Sequence, residues 1–177
     1  SSIHLTKEAV QAGFARVSIT PALNEQEDNY IEGKFTRVPL AGYSARKGLP
    51  AEGIHDSVYV KTVALKTENN TLVFISADLL IMPPNITDMV TAQLLKEGIK
   101  REQLIFSATH THSGIGGWGP GFIGSQFAGK ENKELVKWIA LQITKAVKEA
   151  ITDLKPARIG TGSFNAENHT NNRTIGK

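Results

Sequence analysis

The stretch Leu104-Ile105-Phe106-Ser107-Ala108-Thr109-His110-Thr111-His112-Ser113-Gly114-Ile115-Gly116-Gly117-Trp118 is the part of this chain around which the rest is organised. An apolar run leads into two histidines one residue apart, then into a glycine-rich loop. The run reads as a strand. If that strand continues to His112, its two-residue period sends both imidazoles to one face. Two neutral imidazoles on one face at a strand end can meet one metal ion. The small residues that follow let the backbone turn sharply and come close to a ligand. By spacing alone such a pair is as readily two exposed strand residues, so the flanking sequence has to decide.

Upstream, the strand expected over Gln103–Ser107 follows a helix expected over Ile86–Glu97. Pro83-Pro84-Asn85 introduces that helix and Gly98 stops it. Before it, Val58–Lys66 alternates apolar and polar residues, Glu68-Asn69-Asn70 turns, and Thr71–Ser76 returns as a more buried strand, the pattern of an antiparallel pair. That second strand ends at Asp78, a carboxylate at the edge where open α/β sheets bind ligands. Gly13–Ile19 reads as a strand stopped by Thr20-Pro21, Asn24–Lys34 as a polar loop, and Val38–Ser44 as a turn that brings backbone near something.

Downstream, the segment Gly114–Gly129 reads as a loop, with Trp118, Phe122 and Phe127 as candidates for the rim of an apolar groove. Ala128–Asn132 reads as a hinge. The longest helix is expected over Glu131–Leu154, with Trp138 in the core and acidic residues near its start suiting the macrodipole. Pro156 ends it, Ala157–Phe164 reads as a last strand, and Asn165–Lys177 is polar. The order implies an α/β domain built on a mixed β-sheet flanked by helices.

The composition fits one soluble domain: 177 residues, 40% hydrophobic and 21% charged. Net charge is +3, from 20 basic and 17 acidic residues, and the basic residues are scattered, so no nucleic-acid partner is expected. A pI near 9.1 permits only weak attraction to anionic surfaces. The absence of cysteine excludes disulfides and thiolate metal ligands and leaves the compartment open. No apolar run approaches the roughly 18 residues of a membrane span. The chain begins Ser1-Ser2, without methionine, as a processed or trimmed product would.

Taken with its neighbours, Ala108-Thr109-His110-Thr111-His112-Ser113-Gly114-x-Gly116-Gly117 resembles the signature of the neutral/alkaline (non-lysosomal) ceramidase family. Other blocks resemble that family in the same order: Gly13–Thr20, Ala41-Gly42-Tyr43-Ser44, Gly53-Ile54-His55 with the strand after it, Phe74–Leu79, and Asn172-Arg173. The resemblance implies a zinc (Zn2+) amidase that cleaves a ceramide-like lipid amide, N-acylsphingosine, to sphingosine and a fatty acid. It implies that His110 is a zinc ligand and that His112 and Arg173 act on the reacting carbonyl. Gly42 and Tyr43 would lie at the polar, substrate-binding end of the pocket. It implies a secreted or periplasmic enzyme with peripheral membrane contact. His55 and Asp78 lie in matching blocks without an implied role, although Asp78 suits a carboxylate that orients a histidine. Exposed loop positions are the plainer reading of His55 and His169.

The family's site also takes a second histidine, a glutamate and a tyrosine on the metal, and this chain supplies none of them. Catalytic zinc ordinarily takes three protein ligands and a water. The chain is therefore expected to be the amino-terminal portion, residues 1–177, of an incomplete catalytic domain, with the other ligands in a segment beyond it. Alternatives stay open: a non-catalytic or vestigial module of the same fold, a subunit completed by a second chain, or a hydrolase of another acyl amide. Metallo-β-lactamase-like hydrolases carry an Asp where Ser113-Gly114 stands here. Amidohydrolase barrels place His-x-His on the first strand and need about 250 residues.

Overall fold

The computed structural model describes residues 4–5, 9–46 and 48–165. In chain order the elements are strands β1 (His4–Leu5), β2 (Val10–Ser18), β3 (Tyr59–Lys66) and β4 (Thr71–Ala77), helix α1 (Pro84–Leu95), strand β5 (Leu104–Ala108), helices α2 (Gly121–Ala128) and α3 (Lys133–Thr152), and strands β6 (Lys155–Ala157) and β7 (Gly160–Thr161). Five strands form one sheet in the order β5-β4-β3-β2-β6, and β1 pairs with β7 in a separate two-stranded ladder. Strands β2 to β4 meander antiparallel, while β5 lies parallel to β4. A parallel neighbour needs a crossover, and α1 provides it. The mixed sheet flanked by helices expected from the sequence is the one observed.

One face of the sheet is closed by α3, with α1 packed against α3 and sharing the same core. Val60, Ala64, Val73, Ile75 and Ala77 point into that layer and meet Ile86, Val90 and Leu94 of α1 and Leu135, Ile139, Ile143 and Val147 of α3, all buried. Thr62 is buried there too and donates its hydroxyl to the Ala146 carbonyl at 2.8 Å, so no polar atom of that side chain is orphaned. A Cβ at Gly13 would run into the Ala150 carbonyl, so glycine at this point lets α3 lie directly on β2. The opposite face is not covered among the described residues. Register aligns Phe14, Val63, Phe74 and Ile105 in one row across four strands, and Phe14 is 61% and Phe74 41% exposed.

Helix α3 begins where its sequence caps it. The Asn132 side-chain oxygen accepts from Glu134 N and Leu135 N at 2.9 and 3.3 Å, satisfying two otherwise free amides. The Asn132 amide nitrogen donates to Asp28 Oδ2 at 2.6 Å, and Asp28 Oδ1 accepts from the Thr36 backbone and hydroxyl at 2.8 and 2.9 Å. Burial works against the charge on Asp28, but these hydrogen bonds outweigh it and hold the carboxyl below its ordinary value of 3.8. The loop over 24–34 is thereby tied to the start of α3.

Several boundaries differ from expectation. Strand β2 begins at Val10 rather than Gly13, and the helix expected over Ile86–Glu97 begins at Pro84, whose fixed φ suits a first helical position. Helix α3 ends at Thr152, and Pro156 lies inside β6 rather than after a helix end. Because β6 is an edge strand, the missing proline N–H costs no ladder bond. The last strand expected over Ala157–Phe164 is instead two short pieces, one on each sheet.

A candidate metal-binding histidine loop

Strand β5 stops at Ala108, and Thr109 N adds one last bond to the Ala77 carbonyl at 3.0 Å. His110 then turns out of the sheet with φ +60°. The strand does not run on to His112, so period-two alternation is not what brings the two rings together. The loop conformation is. Held in the left-handed region, His110 carries a strain of about 1–3 kcal/mol that its surroundings must offset.

The rings nevertheless converge. His110 Nε2 and His112 Nε2 are 3.2 Å apart, and the ring planes meet at 76°. His110 Nδ1 lies 2.8 Å from the Leu80 carbonyl oxygen. A carbonyl only accepts, so the bond requires the proton on Nδ1 and leaves Nε2 of the neutral ring with a bare lone pair. Metal-ligating histidines are commonly oriented in this way. The bare Nε2 of His110, fixed in direction by the Leu80 contact, is a nitrogen donor of the kind zinc takes, and the His112 ring stands beside it. Asp78 does not take the orienting role its position implied. Its Oδ2 accepts from the Tyr59 backbone at 2.9 Å and lies 4.0 Å from Lys61 Nζ, closing the β3–β4 pair instead.

Residues 38–43 form the other wall. Leu40 bridges Ile115, Ala41 N donates to Gly114 O at 3.0 Å, and Gly42 N donates to Phe127 O at 2.8 Å. Gly42 has φ +87°, and a Cβ there would sit 2.8 Å from His112 Cα and 2.9 Å from its Cγ. Only glycine combines that backbone with that closeness. The Tyr43 ring, on a side chain otherwise exposed, lies 4.9 Å from the His112 ring. Gly42, Tyr43, His110 and His112 are thus gathered in one place, as the sequence blocks implied. Arg173, Asn172 and His169 lie outside the described residues.

Sequence reasoning passed over Arg46. One of its terminal nitrogens donates to the His112 carbonyl at 2.6 Å and the Ala41 carbonyl at 3.3 Å, and the other donates to Ser113 Oγ at 3.2 Å. Its guanidinium carbon lies 5.0 Å from the Tyr43 ring centre. The only signal was a basic residue three positions after the Gly-Tyr pair.

The rim expected from Trp118 is not there. Trp118 is 3% exposed, and its indole donates to the Ile115 carbonyl at 2.7 Å. The segment read as a loop contains α2, which leaves Phe122 80% and Ile123 75% exposed. A groove of about 510 Å³ is lined by Val38, Leu40 and Ile115 together with Thr111 and Ser113 of the histidine loop. His55, also on this groove, is fully in solvent and pairs only with its neighbour Asp56, at 2.7 Å. Among the described residues no group of three His, Cys, Asp or Glu side chains is placed to hold a metal ion.

Fold and loop together define an α/β domain that presents two convergent imidazoles at the parallel edge of a mixed sheet. The chain matches the neutral/alkaline non-lysosomal ceramidase family, N-terminal part, over residues 27–176, and it belongs to that family of hydrolases. Its fold is shared with the neutral ceramidase from Pseudomonas aeruginosa, with a TM-score of 0.69 and 22% identity over 85% of this chain and 23% of that one. A second solved structure, a ceramidase complexed with C2, gives 0.68 and 22% identity over 85% of this chain and 22% of that one. The chain spans less than a quarter of the length of these structures. No helix among the described residues is long and apolar enough to cross a membrane.

Proposed function

We propose that this chain is the amino-terminal part of the catalytic domain of a zinc-dependent amide hydrolase that cleaves N-acylsphingosine to sphingosine and a fatty acid. The observation that carries the reading is the pairing of the two imidazoles, with His110 Nδ1 fixed on the Leu80 carbonyl and its Nε2 turned to His112 Nε2 at 3.2 Å. Bound zinc would supply Lewis acidity, drawing electron density from the amide carbonyl and making water acidic near pH 7. His110 binds through Nε2. His112, beside it, faces the position of the amide oxygen and stabilises the charge that develops there, with Arg173 as a second, bidentate donor. Gly42 and Tyr43 receive the polar end of the substrate.

His110 alone is fewer than the three protein ligands a catalytic zinc ordinarily takes. The remaining ligands come, in this reading, from parts of the enzyme outside these residues, and the 177-residue chain alone is inactive. The exposed Phe122 and Ile123 of α2 support peripheral contact with the membrane from which a lipid amide is drawn. The family resemblance supports a secreted or periplasmic location, which fractionation of the native source would check. The deciding experiment uses the complete gene product: metal analysis, and hydrolysis of N-acylsphingosine against a short-chain acyl amide. About one zinc per protein, as for a single catalytic site, and preference for the lipid amide are expected. A metal-free protein without amidase activity would overturn the reading in favour of a binding or vestigial module.

A further inference from the structure

We infer that Arg46 is a positioning residue for His112. The inference deepens the proposed amide hydrolysis, but only its activity readout rests on that reading. His112 is the less anchored ring of the pair: its Nδ1 is buried and has no hydrogen-bond partner, so no contact at that nitrogen fixes the ring. Its direction must come from its backbone and from what packs against it. Gly42 and Tyr43 supply the packing. Arg46 supplies the backbone hold, because one guanidinium nitrogen bonds both the His112 carbonyl, at 2.6 Å, and the Ala41 carbonyl on the facing segment, at 3.3 Å.

The other terminal nitrogen reaches the Ser113 hydroxyl, and the guanidinium lies against the Tyr43 ring that itself touches the His112 ring. One planar group therefore ties together the two segments that sandwich His112. Arg46 is in turn set by a short turn over Ser44–Arg46, with its own N–H on the Tyr43 carbonyl at 2.8 Å. Its partners are two carbonyls, a hydroxyl and a ring. Those contacts are structural, so its action on substrate passes through His112. A lysine ammonium has no planar fork. It can hold the His112 carbonyl but cannot also reach Ser113 and lie flat on Tyr43.

The test compares Arg46→Gln and Arg46→Lys in the complete enzyme, with Ser113→Ala as the milder control. In Arg46→Gln, kcat on N-acylsphingosine should fall about 10–100-fold, the range expected when a reacting group is displaced by about 1 Å. KM and zinc content should stay near those of the unaltered enzyme. Arg46→Lys should recover part of the loss. In parallel, the metal-free complete enzyme, with labelled histidine, is examined by NMR. The ring signals of His112 should shift in Arg46→Gln and Arg46→Lys, while the His110 tautomer, set at Nδ1 by Leu80, stays unchanged. A lowered melting temperature with unchanged kcat and unchanged His112 signals would overturn the inference. If the unaltered complete enzyme does not cleave N-acylsphingosine, the proposed function fails, and the NMR comparison alone still decides the role of Arg46. If Arg46→Gln does not fold, Arg46→Lys carries both readouts.

Discussion

His55 and His112 are both loop histidines, and the protein treats them in opposite ways. His55 stands 97% exposed, and its partner is the adjacent Asp56, itself in solvent. An ion pair of that kind contributes little to stability. The pair is gripped from two sides: the His110 ring by the Leu80 carbonyl on one, and the His112 backbone and ring by Arg46, Gly42 and Tyr43 on the other. The difference teaches that a histidine becomes a candidate site residue when its ring faces a second imidazole and its main chain cannot drift. Residue type and sequence neighbourhood alone do not separate the two cases, since His55 also falls in a family-like block.

The comparison can be broken most forcefully at His110. His110→Ala in the complete enzyme should abolish zinc retention and lower hydrolysis by well over 100-fold, exceeding the usual cost of losing an outer contact to a ligand. Metal analysis together with turnover checks it. Next comes Gly42→Ala. The left-handed backbone costs a non-glycine residue about 1–2 kcal/mol, and the added methyl meets His112, so destabilisation of at least that size should accompany loss of activity in urea unfolding and turnover assays.

A third variant separates scaffold from site. Asn132→Ala removes the α3 cap and should cost about 1 kcal/mol while leaving zinc binding intact. It also removes one bond that depresses Asp28. A carboxyl held below 3.8 in the folded protein adds stability that is fully present above that value and is lost as pH falls through the folded value. The acid limb of the unfolding curve below about pH 4 should therefore flatten in Asn132→Ala. The smallest effect belongs to His55→Ala, for which stability within about 0.5 kcal/mol of the starting protein and unchanged turnover are expected.

Much of this was legible in the sequence. Alternation marked β3, the turn and the apolar run after it marked β4, the two prolines marked the start of α1, and the broad apolar stripe from Leu135 to Ile151 marked α3. The histidine loop, Gly42 and Tyr43 were found through blocks whose order matched the family. What escaped has physical causes. Helix α2 is short, begins and continues with glycine, and exposes its apolar residues, so it carries no buried-face periodicity. Trp118 follows three glycines in a loop-like context, and only the tertiary fold buries it. The left-handed turn at His110 breaks the strand period at the residue proposed to hold the metal, and a local rule is expected to yield at such a place. Arg46 acts through backbone carbonyls from a facing segment, which side-chain patterns do not record.

The most direct test of the central claim, that the Leu80 carbonyl sets His110 up as a ligand, is the imidazole tautomer of His110 in the metal-free chain, read from its ring nitrogen shifts by NMR. The structure predicts a proton on Nδ1 and a bare Nε2. A proton resident on Nε2 with Nδ1 bare would contradict it, because the nitrogen facing His112 would then have no lone pair to offer a metal.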